Sequence, residues 1–439
     1  MAGNGRRGTD AKAAAGDRHY VLVCSLCGDR RPDDGLILDC PRDHPPALLR
    51  TEYANPRFTP DQAYDGLFRY REWLPVVRAP RSTGRGVVYR SRGLAAALGL
   101  PRLWIAFNGY WPERGASLET GTFKEFEALT VLGRLPGREH VLTVASSGNT
   151  AAAFAWVCSR QRVPCLIVVS GKGLGRLRFP GTLDPCVTLV VIDDGDYPDA
   201  IALASSISRL PPFRAEGGVK NVGRRDGLAA VLLTAYEEMR CLPSHYFQAV
   251  GSGTGAIAVL EAARRIGVAA GGLRLPRLML CQNLPFTPIH DAWRMGETVR
   301  DPELTDGFRE SIAKVHADEL TNWAPPYGIR AGVRDALRDS DGDVLVADNA
   351  SVVVARNMFR ELEGIDIEPA AGVAVACLRD AVAQGKVGRD AVVLLNITGG
   401  GRRRLATDRP LVGARPHWRL TKDALADDGL AQRIAERRT

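Results

Sequence analysis

Eight short apolar runs, at residues 103–107, 141–145, 165–169, 189–192, 246–250, 278–282, 343–347 and 392–396, constrain this chain more than any other feature. Strands that read as continuous apolar runs are buried on both faces. Helical stretches at 93–98, 125–132, 151–159, 199–207 and 256–266 fall between them, and glycine, serine and asparagine punctuate the junctions. Short buried strands alternating with amphipathic helices predict a parallel, three-layered α/β architecture. No internal repeat interrupts the pattern.

At 439 residues the chain has room for roughly two or three domains. The pattern divides it into a small α/β domain at 140–227 and a large one combining 51–139 with 228–420. A ribbon-like module at 19–50 precedes them, with tails at 1–18 and 421–439. Residues 1–18 are rich in glycine, alanine and charge and lack the apolar core of a signal peptide, so a flexible tail is expected there.

Hydrophobic residues make up 45% and charged residues 25%, which excludes a disordered, collagen-like or membrane-spanning chain. The net charge of +8 favours acidic partners. Arg402, Arg403 and Arg404 form the only dense cationic cluster, however, which is not the patterned basic face of a nucleic-acid binder. Small anions are the better match, and neither nucleic acid nor membrane is an expected partner. Cys158, Cys165, Cys281 and Cys377 lie within apolar runs, the usage of a reducing compartment, and the cytoplasm is the expected location.

Four further features carry chemistry. Gly251-Ser252-Gly253-Thr254-Gly255 sits between a strand and a helix, where backbone N–H groups and a helix N-terminus can converge on a phosphate; a tight turn explains it equally well. Ser146-Ser147-Gly148-Asn149-Thr150 occupies the same kind of junction and suits a carboxylate, with Asn149 free to donate to a ring oxygen; an ordinary N-cap explains the same residues. Thr398-Gly399-Gly400-Gly401 permits close backbone approach and offers a hydroxyl. Finally, only seven of the 58 cationic residues are lysines, and one of them, Lys124, follows turn residues at a helix start. A lysine there sits against the helix dipole, a placement that suits a Schiff base, although a solvated helix lysine is the commoner case. Early in the chain, Cys24, Cys27, Cys40 and His44 are spaced as a structural zinc ribbon or as free thiols in a hairpin.

The order of these parts resembles a fold-type II enzyme dependent on pyridoxal 5′-phosphate (PLP), the group that includes threonine synthase, tryptophan synthase β and cysteine synthase. Thr122-Phe123-Lys124 is similar to the family's lysine motif, Ser147-Gly148-Asn149-Thr150 to its asparagine loop, and Gly251 to Gly255 to its phosphate loop. Thr398-Gly399-Gly400 resembles the threonine synthase branch, where a threonine hydroxyl faces the pyridine nitrogen, and Glu368-Pro369-Ala370-Ala371-Gly372 matches a further family segment. Within that branch the chain is most similar to the cysteate synthases, through runs at 46–51, 107–113, 221–227, 245–251 and 282–285.

The resemblance implies a tryptophan synthase β-like fold of two three-layered domains with the cofactor between them. It implies PLP held by Lys124, Asn149, Gly251, Ser252, Gly253, Thr254, Gly255 and Thr398, with Lys124 as the catalytic group. It also implies β-replacement on O-phospho-L-serine through an aminoacrylate, with sulfite as nucleophile and L-cysteate and phosphate as products. Threonine synthase, acting on O-phosphohomoserine with water, is the alternative, as is a natural-product enzyme using another nucleophile. Ser146, Ser147, Gly148 and Thr150, with Lys220, Arg224 and Arg225, are the expected substrate-binding residues, and a homo-oligomer is the expected assembly.

Overall fold

The computed structural model describes residues 18–82, 84–146, 148–300 and 307–437. Two open sheets organise the chain. The larger has six strands in the order Asp343–Ala347, Arg277–Asn283, His245–Ala249, Val393–Ile397, Leu103–Phe107 and Val87–Arg90. The first five run parallel and the last pairs antiparallel at the edge. That edge strand departs from the all-parallel expectation; Val87, Val88 and Tyr89 are half-buried and Arg90 is exposed, as an edge position allows.

The smaller sheet has five parallel strands, in the order Phe213–Ala215, Val141–Ser146, Cys165–Ser170, Val187–Ile192 and Trp418–Leu420. Every residue of Cys165–Ser170 and of Val187–Ile192 is buried, which is why these runs are apolar without alternation.

Three boundaries differ from those expected. Leu49–Tyr53 is the third strand of the N-terminal ribbon, pairing antiparallel with Tyr20–Cys24, so the ribbon passes residue 50. Trp418–Leu420 joins the small sheet beside Val190–Ile192 instead of ending the large domain. The segment after 420 is not a tail: Leu430–Glu436 is helical and buries Leu430 and Ile434 against the small domain. A three-residue strand and a two-turn helix are too short to produce a readable period. Residues 1–17 lie outside the described residues.

Strand order places the cleft. In the small sheet the chain steps from 141–146 to 165–170 to 187–192, then returns to the far side of 141–146 with 213–215. In the large sheet it steps from 245–249 to 277–283 to 343–347, then returns to the far side of 245–249 with 393–397. Each reversal opens a crevice beyond the C-terminal strand ends, where ligands bind in such sheets. Both crevices open onto one cavity.

Candidate active site

The cavity has a volume of about 720 Å³. From the small sheet it takes Thr143–Ser146 and the 215–220 loop; from the large sheet it takes the 248–255 segment, Thr398 and Gly399. Lys124 stands at the first turn of the helix Lys124–Arg134, with its side chain 21% exposed.

The lysine loop and the threonine loop are zipped together. Phe123 N donates to Thr398 O at 3.0 Å, Gly400 N donates to Gly121 O at 3.0 Å, and Thr122 bridges to Gly399. Close approach requires glycine here, because a Cβ on Gly399 would lie 2.9 Å from Thr122 Cγ2 and 3.0 Å from Gly121 O. Lys124 and Thr398 are therefore held in fixed relation by backbone alone.

The Gly251–Gly255 loop begins where the strand His245–Ala249 ends and opens the helix Thr254–Ala269. A side chain at 253 is excluded twice over: the backbone has φ +74°, and a Cβ would fall 2.4 Å from Val333 Cγ2. Beneath the loop, Gln248 Oε1 accepts from Tyr246 Oη at 2.7 Å and from Asn396 Nδ2 at 3.1 Å, and Asn108 Nδ2 donates to Asn396 Oδ1 at 2.9 Å. This buried, mutually satisfied network stiffens the floor on which the loop rests.

The carboxylate loop lies across the cavity. Ser146 Oγ accepts from Gly148 N at 3.1 Å, and Asn149 Oδ1 accepts from Arg402 Nη2 at 3.3 Å. Ser146, Asn149 and Thr150 line the cavity, whereas Gly148 packs below it against Arg176. Ser147 lies outside the described residues.

Of the expected anion-binding cations, Lys220 lines the cavity and pairs with Asp39 at 2.9 Å. Arg224 also reaches it, with its guanidinium held between Glu127 and Glu216. Arg225 does not, and its assignment to substrate is corrected: it is fully buried, pairs with Glu261 at 3.1 Å and donates to the carbonyls of Val219 and Leu49. Adjacent helix residues point about 100° apart, so only one of two neighbouring arginines can face the cleft.

Several functional groups were not legible in the sequence. Lys124 Nζ donates to Glu127 Oε2 at 3.1 Å, while Glu127 Oε1 accepts from Thr150 Oγ1 at 2.8 Å and from Arg224 Nη1 at 3.0 Å. Glu319, on the cavity wall, has its pKa raised to about 7 by burial and then by the neighbouring Glu368 carboxylate. The i, i+3 spacing of Lys124 and Glu127 was the one available signal.

Two buried polar atoms facing this space, Thr122 Oγ1 and Thr143 Oγ1, have no hydrogen-bond partner, and Glu319 Oε2 has none beyond its ion pair with Arg176 at 3.6 Å. Buried polar groups are normally satisfied, so orphans on a cavity wall mark a place for a polar guest. An amine, a glycine cradle at a helix N-terminus, a threonine hydroxyl and these orphans together fit PLP. The profile of the family described as "Pyridoxal-phosphate dependent enzyme" matches residues 88–399.

The chain belongs to the pyridoxal-phosphate dependent enzyme family.

Relatives agree with that membership. The chain is 47% identical over 399 residues to a cysteate synthase of Methanothrix thermoacetophila, covering 90% of this chain and 93% of that protein. It is 43% identical over 393 residues to a cysteate synthase of Methanocorpusculum labreanum, covering 89% and 94%. The fold is shared with maize serine racemase (TM-score 0.56, 17% identity, 72% of this chain and 89% of that one). It is also shared with threonine deaminase isoform 2 of Solanum lycopersicum (TM-score 0.54, 16% identity, 84% and 98%). The expected fold-type II architecture and PLP dependence stand, and the chain is an enzyme of this family.

At the ribbon, Cys24, Cys27, Cys40 and His44 are brought together, with one ligand atom of each within 4.8 Å of all the others. Among the described residues no helix is long and apolar enough to cross a membrane.

Proposed function

We propose that this chain is a cysteate synthase, replacing the phosphate of O-phospho-L-serine with sulfite to give L-cysteate and phosphate. The observation that carries this is the 47% identity to a protein of that name across nearly the full length of both chains. The cavity supports it by offering anions two places, the glycine loop and the Lys220 rim.

PLP would be held by Lys124 through its amine, by the Gly251–Gly255 loop at its phosphate, by Thr398 at its ring nitrogen and by Asn149 at its ring oxygen. Bound there, it supplies the electron sink that makes a Cα–H bond labile and lets a β-substituent depart. Lys124 Nζ takes the Cα proton and later returns it. Glu127 fixes that amine, and the same carboxylate is tied to Thr150 and Arg224, so the base and the small-domain wall are registered by one side chain. Ser146 through its hydroxyl and Thr150 through its backbone N–H would take the substrate carboxylate at the start of the helix Asn149–Gln161, where the helix dipole favours an anion. Lys220 would take the departing phosphate. Net bonding balances: the Cβ–O bond to phosphate breaks, and the sulfite lone pair forms the Cβ–S bond.

Among the described residues no cysteine forms a disulfide, which supports work in a reducing cytoplasm.

Phosphate release from phosphoserine and from phosphohomoserine, each with and without sulfite, tests the function. Release from phosphoserine that depends on sulfite supports it. Preference for phosphohomoserine, with no effect of sulfite, would replace it with threonine synthesis.

A further inference from the structure

The N-terminal ribbon presents a second chemical site. Cys24 ends the strand Tyr20–Cys24, and the turn after it closes through Gly28 N donating to Cys24 O at 3.0 Å, with Gly28 at φ +74°. This knuckle turns Cys27 towards Cys24. Asp29 then pairs with Arg42 at 3.2 Å, drawing in the loop that carries Cys40 and His44.

The distances decide between a disulfide and a metal. Cys27 Sγ and Cys40 Sγ lie 3.8 Å apart, far beyond the bond length of about 2.05 Å in a disulfide. Cys24 Sγ and His44 Nε2 lie 3.4 Å apart. A tetrahedral centre with metal–sulfur bonds of about 2.3 Å and a metal–nitrogen bond of about 2.0 Å has edges of roughly 3.8 Å and 3.5 Å. The histidine is also oriented as a ligand, because Nδ1 donates to Pro45 O at 2.7 Å and leaves the Nε2 lone pair to face the thiols. Three sulfurs and one imidazole suit zinc, and four protein ligands leave no open position for chemistry.

The ribbon touches the cavity rim. Cys40 directly follows Asp39, whose carboxylate pairs with Lys220. Leu38 packs against Gly217 so closely that a Cβ there would fall 2.4 Å from Leu38 Cδ2. Ile37 O accepts from Arg134 Nη2 at 2.6 Å, and Arg134 also donates from Nη1 to Asn221 Oδ1 at 2.9 Å. Segment 37–39 is thus applied along 217–221, and 217–220 form cavity wall.

We propose that Cys24, Cys27, Cys40 and His44 bind one structural zinc ion, and that this ion holds segment 37–39 against the 217–221 rim of the cavity. The individual contacts are weak: Lys220 and Asp39 are both about half exposed, and such pairs contribute little alone. The metal makes them effective by fixing the segment that carries them, one residue from a ligand.

The test uses the full chain loaded with PLP. Elemental analysis should find about one zinc per chain and no stoichiometric iron. In Cys27→Ser/Cys40→Ser the zinc content should fall about tenfold or more, while PLP absorbance persists. Amide hydrogen exchange at 217–221 should then quicken about tenfold, as it should in wild type stripped by a chelator, which covers the case of a variant that does not fold. Leu38→Ala should keep its zinc and still show the faster exchange. Absence of zinc, or iron in its place, overturns the site; unchanged exchange at 217–221 after zinc loss overturns the coupling. Neither readout needs turnover, so both stand apart from failure of the proposed reaction.

Discussion

Lys124 Nζ lies 3.1 Å from Glu127 Oε2, one helical turn further along, and that carboxylate is fully buried. Glu127 therefore serves the amine, Thr150 and Arg224 at once, coupling the helix that bears Lys124 to the helices Asn149–Gln161 and Val222–Met239. Glu127→Gln keeps the shape and removes the charge. Charge-assisted hydrogen bonds contribute about 1.5–3 kcal/mol each, so the variant should unfold at lower temperature and lose kcat by about tenfold or more. Thermal melts and steady-state kinetics check both. Unchanged kcat would show that the carboxylate is only a support.

Glu319 supplies the pH dependence. Its carboxyl is raised to about 7, first by burial and then by Glu368, with Arg176 pulling the other way. Above pH 7 it adds negative charge to a cavity built for anions; as pH falls through 7 that charge is neutralised. The apparent KM for phosphoserine should fall as pH drops from 8 to 6, to the extent that phosphoserine's own ionisation, the same for both proteins, permits. Glu319→Gln should flatten the difference. For stability the sign is the same: a raised carboxyl pKa contributes most below about 4.5 and is lost as pH rises through 7. Glu319→Gln should thus raise the melting temperature at pH 8 more than at pH 5.

The neighbouring arginines separate substrate contact from scaffolding. Arg225 pairs with Glu261 and ties the ribbon to the core through Leu49 O. Arg225→Met should destabilise the protein by about 3–5 kcal/mol, because it removes the guanidinium paired with the largely covered Glu261 carboxylate and leaves the carbonyls of Val219 and Leu49 without that donor. Below the melting transition the variant should retain KM for phosphoserine. A large rise in KM without loss of stability would restore Arg225 to the substrate site.

Gly253 tests the phosphate cradle. Gly253→Ala meets both a φ of +74° and Val333 at 2.4 Å. The left-handed backbone alone costs a non-glycine residue about 1–2 kcal/mol, so PLP affinity should fall about tenfold or more. Equilibrium dialysis of the cofactor measures it.

Much of the layout was legible because buried parallel strands leave an unmistakable trace. The runs at 165–169 and 343–347 became Cys165–Ser170 and Asp343–Ala347, and the loops at their neighbours' ends fell where glycine and serine clustered. Lys124 and Thr398 were legible as motifs, but their zipper was not, since Phe123 N and Thr398 O are backbone atoms that any sequence carries. Glu127 and Glu319 were hidden for another reason. A carboxylate on a helix or loop reads as solvated until the fold buries it, and burial is a property of tertiary packing. Arg224 and Arg225 looked alike for the same reason.

The most direct measurement is the fate of sulfur-labelled sulfite in a reaction with O-phospho-L-serine and the PLP-loaded chain. Mass spectrometry should find the label in L-cysteate, formed one for one with phosphate, and Lys124→Ala should abolish the product. Phosphate release that leaves the labelled sulfite unconsumed, or activity that survives loss of Lys124, would contradict the assignment.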